Sequence, residues 1–199
     1  MFAPRRPYFG LLLAILVLLT GCREQGSESA PVASAQDSGG SEMRVTSDAF
    51  KDGQPIPVEY TGTGEDVSPP LAWRGLPESA RELALIVDDP DAPSAEPWVH
   101  WVIYGIPAAA GNLPEGVPQE EAIKQPVAAR QGVNSFRDNN IGYRGPMPPP
   151  GHGVHHYHFR LYALDERLDL EPGATRERLE EAMDGHVVGE AELVGTFQR

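Results

Sequence analysis

The sequence predicts a mostly β domain with long connections and one late helix. Three observations carry this. Gly (21) and Pro (20) make up about a fifth of the 199 residues, against roughly 12% on average, and both oppose helix interiors. Strand-length runs that are apolar or alternating stand at residues 83–89, 98–106 and 155–164. A helical pattern with signals at both ends occurs once, at residues 175–184.

The elements follow in order. Residues 43–47 and 57–60 read as short strands, separated by the turn cluster Lys51-Asp52-Gly53-Gln54. Residues 61–70 read as a loop, and Leu71-Ala72-Trp73 as a brief extended piece. Leu-Ala-Leu-Ile-Val-Asp-Asp at 83–89 is a buried strand, and the Trp-, Val-, Tyr- and Ile-rich run at 98–106 is another. Residues 108–142 are irregular, with Gly, Pro and Asn throughout, and 155–164 is a third strong strand. Thr175 can cap a helix that carries Leu179, Ala182 and Met183 on one side, and Gly185 can stop it. Residues 192–197 form a last strand. There is no internal repeat.

The first 42 residues stand apart. Arg5 and Arg6 precede an apolar run at residues 10–20, too short to span a bilayer comfortably and of the length of a secretory h-region. It ends Leu19-Thr20-Gly21-Cys22, which resembles the lipobox of bacterial lipoproteins. That resemblance implies residues 1–21 as a signal peptide, lipidation of Cys22, and stable anchoring through several acyl chains. Residues 22–42 are rich in Ser, Gly, Ala and acids and read as a disordered tether, leaving 43–199 as the folded domain. The expected location is the bacterial cell envelope, facing outside the cytoplasm. With no Asp after Cys22, the outer membrane is expected if the host has two membranes.

The formal net charge is −13. Only Arg5 and Arg6 among the charged residues precede Cys22, so the cleaved chain carries −15. Such a balance argues against nucleic acid, whose affinity comes largely from Lys and Arg. A single Cys excludes an intrachain disulfide. No Gly-x-Ser-x-Gly elbow is present, no Ser and His form a visible pair, and an acylated Cys22 leaves no free thiol; an enzyme is not expected. His152, His155, His156 and His158 are dense enough to raise a metal site, but strand alternation splits His155 from His156 and His158, and no Cys supports it. No metal or cofactor is expected.

Side chains alternate along strands. Leu83, Leu85, Val87 and Asp89 share a face, so Asp89 ends an apolar row beside the rigid turn Pro90-Asp91-Ala92-Pro93. Trp98, His100, Val102, Tyr104 and Ile106 share another, and His155, Tyr157, Phe159, Leu161 and Ala163 a third. His156, His158 and Arg160 take the opposite, solvated face. One histidine on an apolar face is commonly a satisfied core residue. Two of them, with Asp89 or Asp91 to accept from an imidazole, point to a pocket. The stiff segment at 143–151 reads as its rim.

These residues carry a resemblance. Asp89-Pro90-Asp91-Ala92-Pro93 followed by Trp98-Val99-His100-Trp101 resembles the first signature of the phosphatidylethanolamine-binding protein family. Tyr143-Arg144-Gly145-Pro146, then His155-His156-Tyr157, resembles the second. Ser68-Pro69-Pro70-Leu71-Ala72-Trp73 and Gly185-His186-Val187 are similar to the bacterial Raf-kinase-inhibitor-like (YbhB/YbcL-type) branch. The resemblance implies a central antiparallel sheet, a second smaller sheet, one or two peripheral helices, and a small pocket for phosphate, phosphoethanolamine or a similar anion or phospholipid headgroup. It assigns that pocket to Asp89, Asp91, Ala92, Pro93, Trp98, His100, Gly145, Pro146, His155 and Tyr157. His100 and His155 are expected to donate to the anion. A protein-level inhibitor of an envelope protease or other enzyme is the alternative role it implies. Ala92-Pro93 or Glu96-Pro97 is expected to be cis.

Overall fold

The computed structural model describes residues 42–137 and 141–199. The expected signal peptide, Cys22 and nearly all of the tether lie outside the described residues.

Among the described residues there are ten strands and one α-helix: β1 (Arg44–Thr46), β2 (Gln54–Pro55), β3 (Leu71–Arg74), β4 (Glu82–Asp89), β5 (Trp98–Pro107), β6 (Asn112–Leu113), β7 (Ala122–Ile123), β8 (Ala129–Gln131), β9 (His155–Leu164), α1 (Arg176–Met183) and β10 (Val187–Phe197). A small antiparallel sheet has the order β1-β3-β6, and a seven-stranded sheet has the order β2-β10-β9-β4-β5-β8-β7. Every pairing is antiparallel except the two-residue contact of β2 with β10.

β4 lies inside the large sheet, and all eight of its residues are buried. Its continuous apolar run fits a strand covered on both faces. Leu83, Leu85 and Val87 join Phe159 and Leu161 of β9 in a core shared with Val45, Leu71 and Trp73 of the small sheet. Ala84 and Ile86 face the other way, with Val102, Tyr104 and the α1 residues Leu179 and Met183. Thr175 caps α1, its hydroxyl accepting from the Arg178 N–H at 3.3 Å, and Gly185 follows at φ +79°.

Four expectations are corrected. Residues 58–60 form a turn of 3-10 helix, not a strand. Pro57 cannot donate to a ladder, and its carbonyl accepts the Tyr60 N–H at 3.0 Å while that of Val58 accepts the Thr61 N–H at 3.0 Å. The irregular stretch 108–142 holds the three short strands β6, β7 and β8. Ala92-Pro93 and Glu96-Pro97 are trans, and the cis bond among the described residues is Gln125–Pro126.

The fourth concerns β5. Strict alternation places His100, Val102 and Tyr104 together, but the structure divides them. Val87 pairs with Trp101 while Asp88 pairs with Val99, so β5 takes two steps where β4 takes one. The extra residue is His100, in a β-bulge. Trp101 and Ile103 pack in the core between the sheets, whereas Val99, Val102 and Tyr104 pack on the helix side. His100 keeps the company of Tyr157, ring edge to face at 5.1 Å and 89°.

Candidate functional site

A cavity of about 210 Å³ opens where β4, β5 and β9 end. Asp89, His100, His155 and Tyr157 supply its polar side chains. Ala92, Pro93, Trp98 and Phe136 form walls, and Met147, Pro148 and Pro149 the rim. Ser94 completes the lining, its hydroxyl donating to the Glu96 carbonyl at 2.6 Å. Among the described residues no Lys or Arg lines it.

Asp89, at the end of β4, is nearly fully buried. One carboxylate oxygen accepts the Asp91 N–H at 2.9 Å, and the other accepts the Nδ1–H of buried His155 at 2.7 Å. That fixes the His155 tautomer and aims Nε2 away from Asp89. The Nε2 atom lies 2.7 Å from Nδ1 of exposed His152.

His100 is anchored by the backbone of the second signature. Its Nδ1–H donates to the Arg144 carbonyl at 2.5 Å, and the Arg144 N–H donates back to the His100 carbonyl at 3.0 Å. Burial, the largest influence, pushes the imidazole pKa below its ordinary value. The ring is therefore neutral at pH 7 with its hydrogen on Nδ1, and Nε2 is an acceptor.

Tyr157 presents a different chemistry. Its hydroxyl is buried and has no hydrogen-bond partner among the described residues. Burial, and then the nearby Asp89 charge, push its pKa upward. The hydroxyl stays protonated, and the Asp89 carboxylate beside it, which also raises its pKa by accepting from it, does not complete a well-formed hydrogen bond, so the donor is under-satisfied in a folded interior.

Seven of the ten residues singled out from the sequence line this cavity: Asp89, Ala92, Pro93, Trp98, His100, His155 and Tyr157. Asp91, Gly145 and Pro146 lie outside the lining and have structural partners. The Asp91 carboxylate accepts from both the backbone N–H (2.9 Å) and Nδ1–H (2.7 Å) of His156. The side-chain bond, foremost, holds it below the usual carboxylate range. The Gly145 N–H donates to Asp66 at 2.6 Å, and the Pro146 carbonyl accepts the Gly62 N–H at 3.0 Å. The face of β9 expected to be solvated carries ion pairs instead. His158 reaches Glu192 at 2.8 Å, and Arg160 reaches buried Asp88 at 2.8 Å.

Sequence reasoning missed Phe136 and Ser94. Phe136 packs edge-on against Trp98 (5.6 Å, 88°) and His100 (5.3 Å), with the Arg144 guanidinium 5.1 Å from its ring centre. It sits in a stretch without period, where no local signal marks it. No three His, Cys, Asp or Glu side chains converge as a metal site among the described residues.

The comparisons agree with this architecture. Residues 46–198 match the family described as phosphatidylethanolamine-binding protein, and the chain belongs to that family. A UPF0098 protein of Pyrococcus abyssi is 45% identical over 192 residues, covering 96% of this chain and 98% of its own. The crystal structure of Escherichia coli YbcL superposes with a TM-score of 0.72 at 30% identity, over 79% of this chain and 99% of YbcL. LppC of Mycobacterium tuberculosis, whose name marks it as a lipoprotein, is 38% identical over 205 residues, covering 98% of this chain and 96% of LppC. That match takes in residues preceding the described domain. No helix among the described residues is long and apolar enough to cross a membrane.

Proposed function

We propose that the chain is an envelope-tethered binding protein, held by lipidated Cys22, that captures a small oxyanion carrying its own hydrogen. Phosphate monoanion and the phosphomonoester headgroup phosphoethanolamine are the chemistry that fits. The observation that carries this is the buried Tyr157 hydroxyl, a permanent donor on the cavity wall beside Asp89 that makes no well-formed hydrogen bond among the described residues. The other polar groups set the ligand's protonation. Neutral His100 offers an acceptor at Nε2, and the Asp89 carboxylate repels a dianion. A ligand must therefore accept from Tyr157 and donate to His100. This revises the expectation that His100 donates. Similarity to LppC over nearly the whole chain supports the envelope assignment, and residue 23 being Arg supports the outer membrane in a two-membrane host.

The test is calorimetric titration of the full chain with phosphate, phosphoethanolamine and sulfate. The monoester gives up its second proton near pH 6 and inorganic phosphate gives up its own nearer neutrality, so both are expected to bind more tightly at pH 5.5 than at pH 8. Sulfate, which has no proton to give, is expected to bind at least tenfold more weakly. Tyr157→Phe and His155→Ala are each expected to lose about tenfold or more for phosphate. No binding by wild type at millimolar ligand would reject the reading and move the function to a protein partner. A Cys22→Ser chain recovered in the membrane fraction would reject the tether.

A further inference from the structure

His155 has two ring nitrogens, and both are engaged. Nδ1 belongs to Asp89, so Nε2 is the one polar atom through which the ring can reach a ligand. His152 Nδ1 lies 2.7 Å from it, with the ring centres 5.0 Å apart and the planes tilted by 53°. One hydrogen lies between the nitrogens. Either His152 donates it from Nδ1, or His155 is an imidazolium that donates it from Nε2; each arrangement covers Nε2.

His152 is exposed and sits in a turn outside the strands. Its neighbours Gly151 and Gly153 have φ of +76° and +98°, and an added Cβ at either would meet nothing within 4 Å. The turn is held by few bonds: the Gly151 N–H to the Arg199 carbonyl at 3.1 Å, and the His152 N–H to the Pro149 carbonyl at 3.2 Å. The backbone on both sides of the imidazole thus has conformational latitude and open space, whereas His155 is buried and clamped.

We propose that His152 is a gate on the ligand site, competing with the incoming oxyanion for Nε2 of His155. A ligand oxygen takes the position of the His152 nitrogen, and the exposed imidazole swings outward on the Gly151–Gly153 turn. The inference rests on the oxyanion reading above, and adds that the affinity of the site is set partly by a residue that the bound ligand displaces.

The experiment is titration of inorganic phosphate into the full chain and into His152→Ala, with the imidazole nitrogens of both observed by ring ¹⁵N NMR before ligand is added. Losing one competing hydrogen bond is expected to tighten phosphate binding about tenfold and to speed association. The spectrum is expected to place a hydrogen between the rings. A neutral His152 then carries its hydrogen on Nδ1, or His155 carries hydrogens on both nitrogens. Equal or weaker binding by His152→Ala overturns the gate and leaves the oxyanion reading intact. A His152 hydrogen on Nε2, with His155 protonated on Nδ1 alone, overturns the gate whatever the affinities. Failure of both proteins to bind phosphate overturns the oxyanion reading and the gate with it.

Discussion

Asp88 and Asp89 are consecutive in β4, both buried, and serve opposite sides of the sheet. Asp89 accepts from His155 at 2.7 Å beside the cavity. Asp88 accepts from Arg160 and Arg176, each at 2.8 Å, under α1. The pleat that turns successive side chains to opposite faces gives one carboxylate to the ligand site and its neighbour to the scaffold.

The two should respond differently to the same substitution. Asp88→Asn strands two guanidinium groups at a buried acceptor, and is expected to lower unfolding free energy by about 3 kcal/mol. Urea denaturation measures this, and phosphate affinity should change little. Asp89→Asn removes the charge that repels a dianion. Its expected signature is a narrowed preference for phosphate over sulfate, read by competition calorimetry.

His100 makes stability depend on pH. Burial depresses its pKa in the folded state, while the unfolded chain takes a proton near pH 6.5. Below that pH the unfolded state binds more protons, so stability falls as the solution is acidified toward the folded pKa. The urea midpoint should drop between pH 7.5 and pH 5.5, and His100→Asn should flatten part of that drop. An unchanged slope in the variant would assign the effect elsewhere.

Glu82 runs the other way. It is 4% exposed, and burial is the main reason its carboxyl titrates above the usual range. A raised carboxyl pKa gives stability that is present at low pH and lost as pH rises through the folded value. Glu82→Gln is therefore expected to be more stable than wild type at pH 7, with the gap closing toward pH 4. Paired thermal melts across that range decide it.

Gly145 stands in the second signature for reasons of space. A Cβ there would lie 2.4 Å from the Tyr60 carbonyl oxygen and 2.7 Å from the Thr61 Cα, both backbone atoms. Gly145→Ala is expected to cost about 2 kcal/mol and to lower Tm by several degrees. Its effect on phosphate should come through the displaced segment, since Gly145 does not line the cavity.

Much of this was readable from the residues alone, where the local pattern and the fold agree. β4 is a continuous apolar run because both its faces are covered. β9 alternates strictly, so its cavity-side residues His155 and Tyr157 could be separated from His156 and His158. Capped by Thr175, α1 announced its own start. What stayed hidden depends on distant chain. The Phe136 ring is placed by Trp98, His100 and Arg144, while the local bond from its N–H to the Asn134 side chain at 3.0 Å holds only the backbone turn. Val58 and Tyr60 have strand-like composition, but Pro57 starts a tight turn instead. The misassigned face of β5 came from the bulge at His100 and a second register shift between Ile103 and Ile106, which divides Tyr104 from Ile106; such shifts change phase without leaving a compositional mark.

That bulge has a consequence for how the site can vary. Because His100 is a supernumerary residue, the cavity end of β5 keeps its own count, separate from the stretch that fills the core. Substitutions at Trp98 or His100 can retune the cavity while Trp101 and Ile103 hold their places. Removing His100 would restore a regular ladder, with Val99 still opposite Asp88 and Trp98 still opposite Asp89, and would take the imidazole out of the cavity. The site can drift by replacement, but it is closed to drift by deletion.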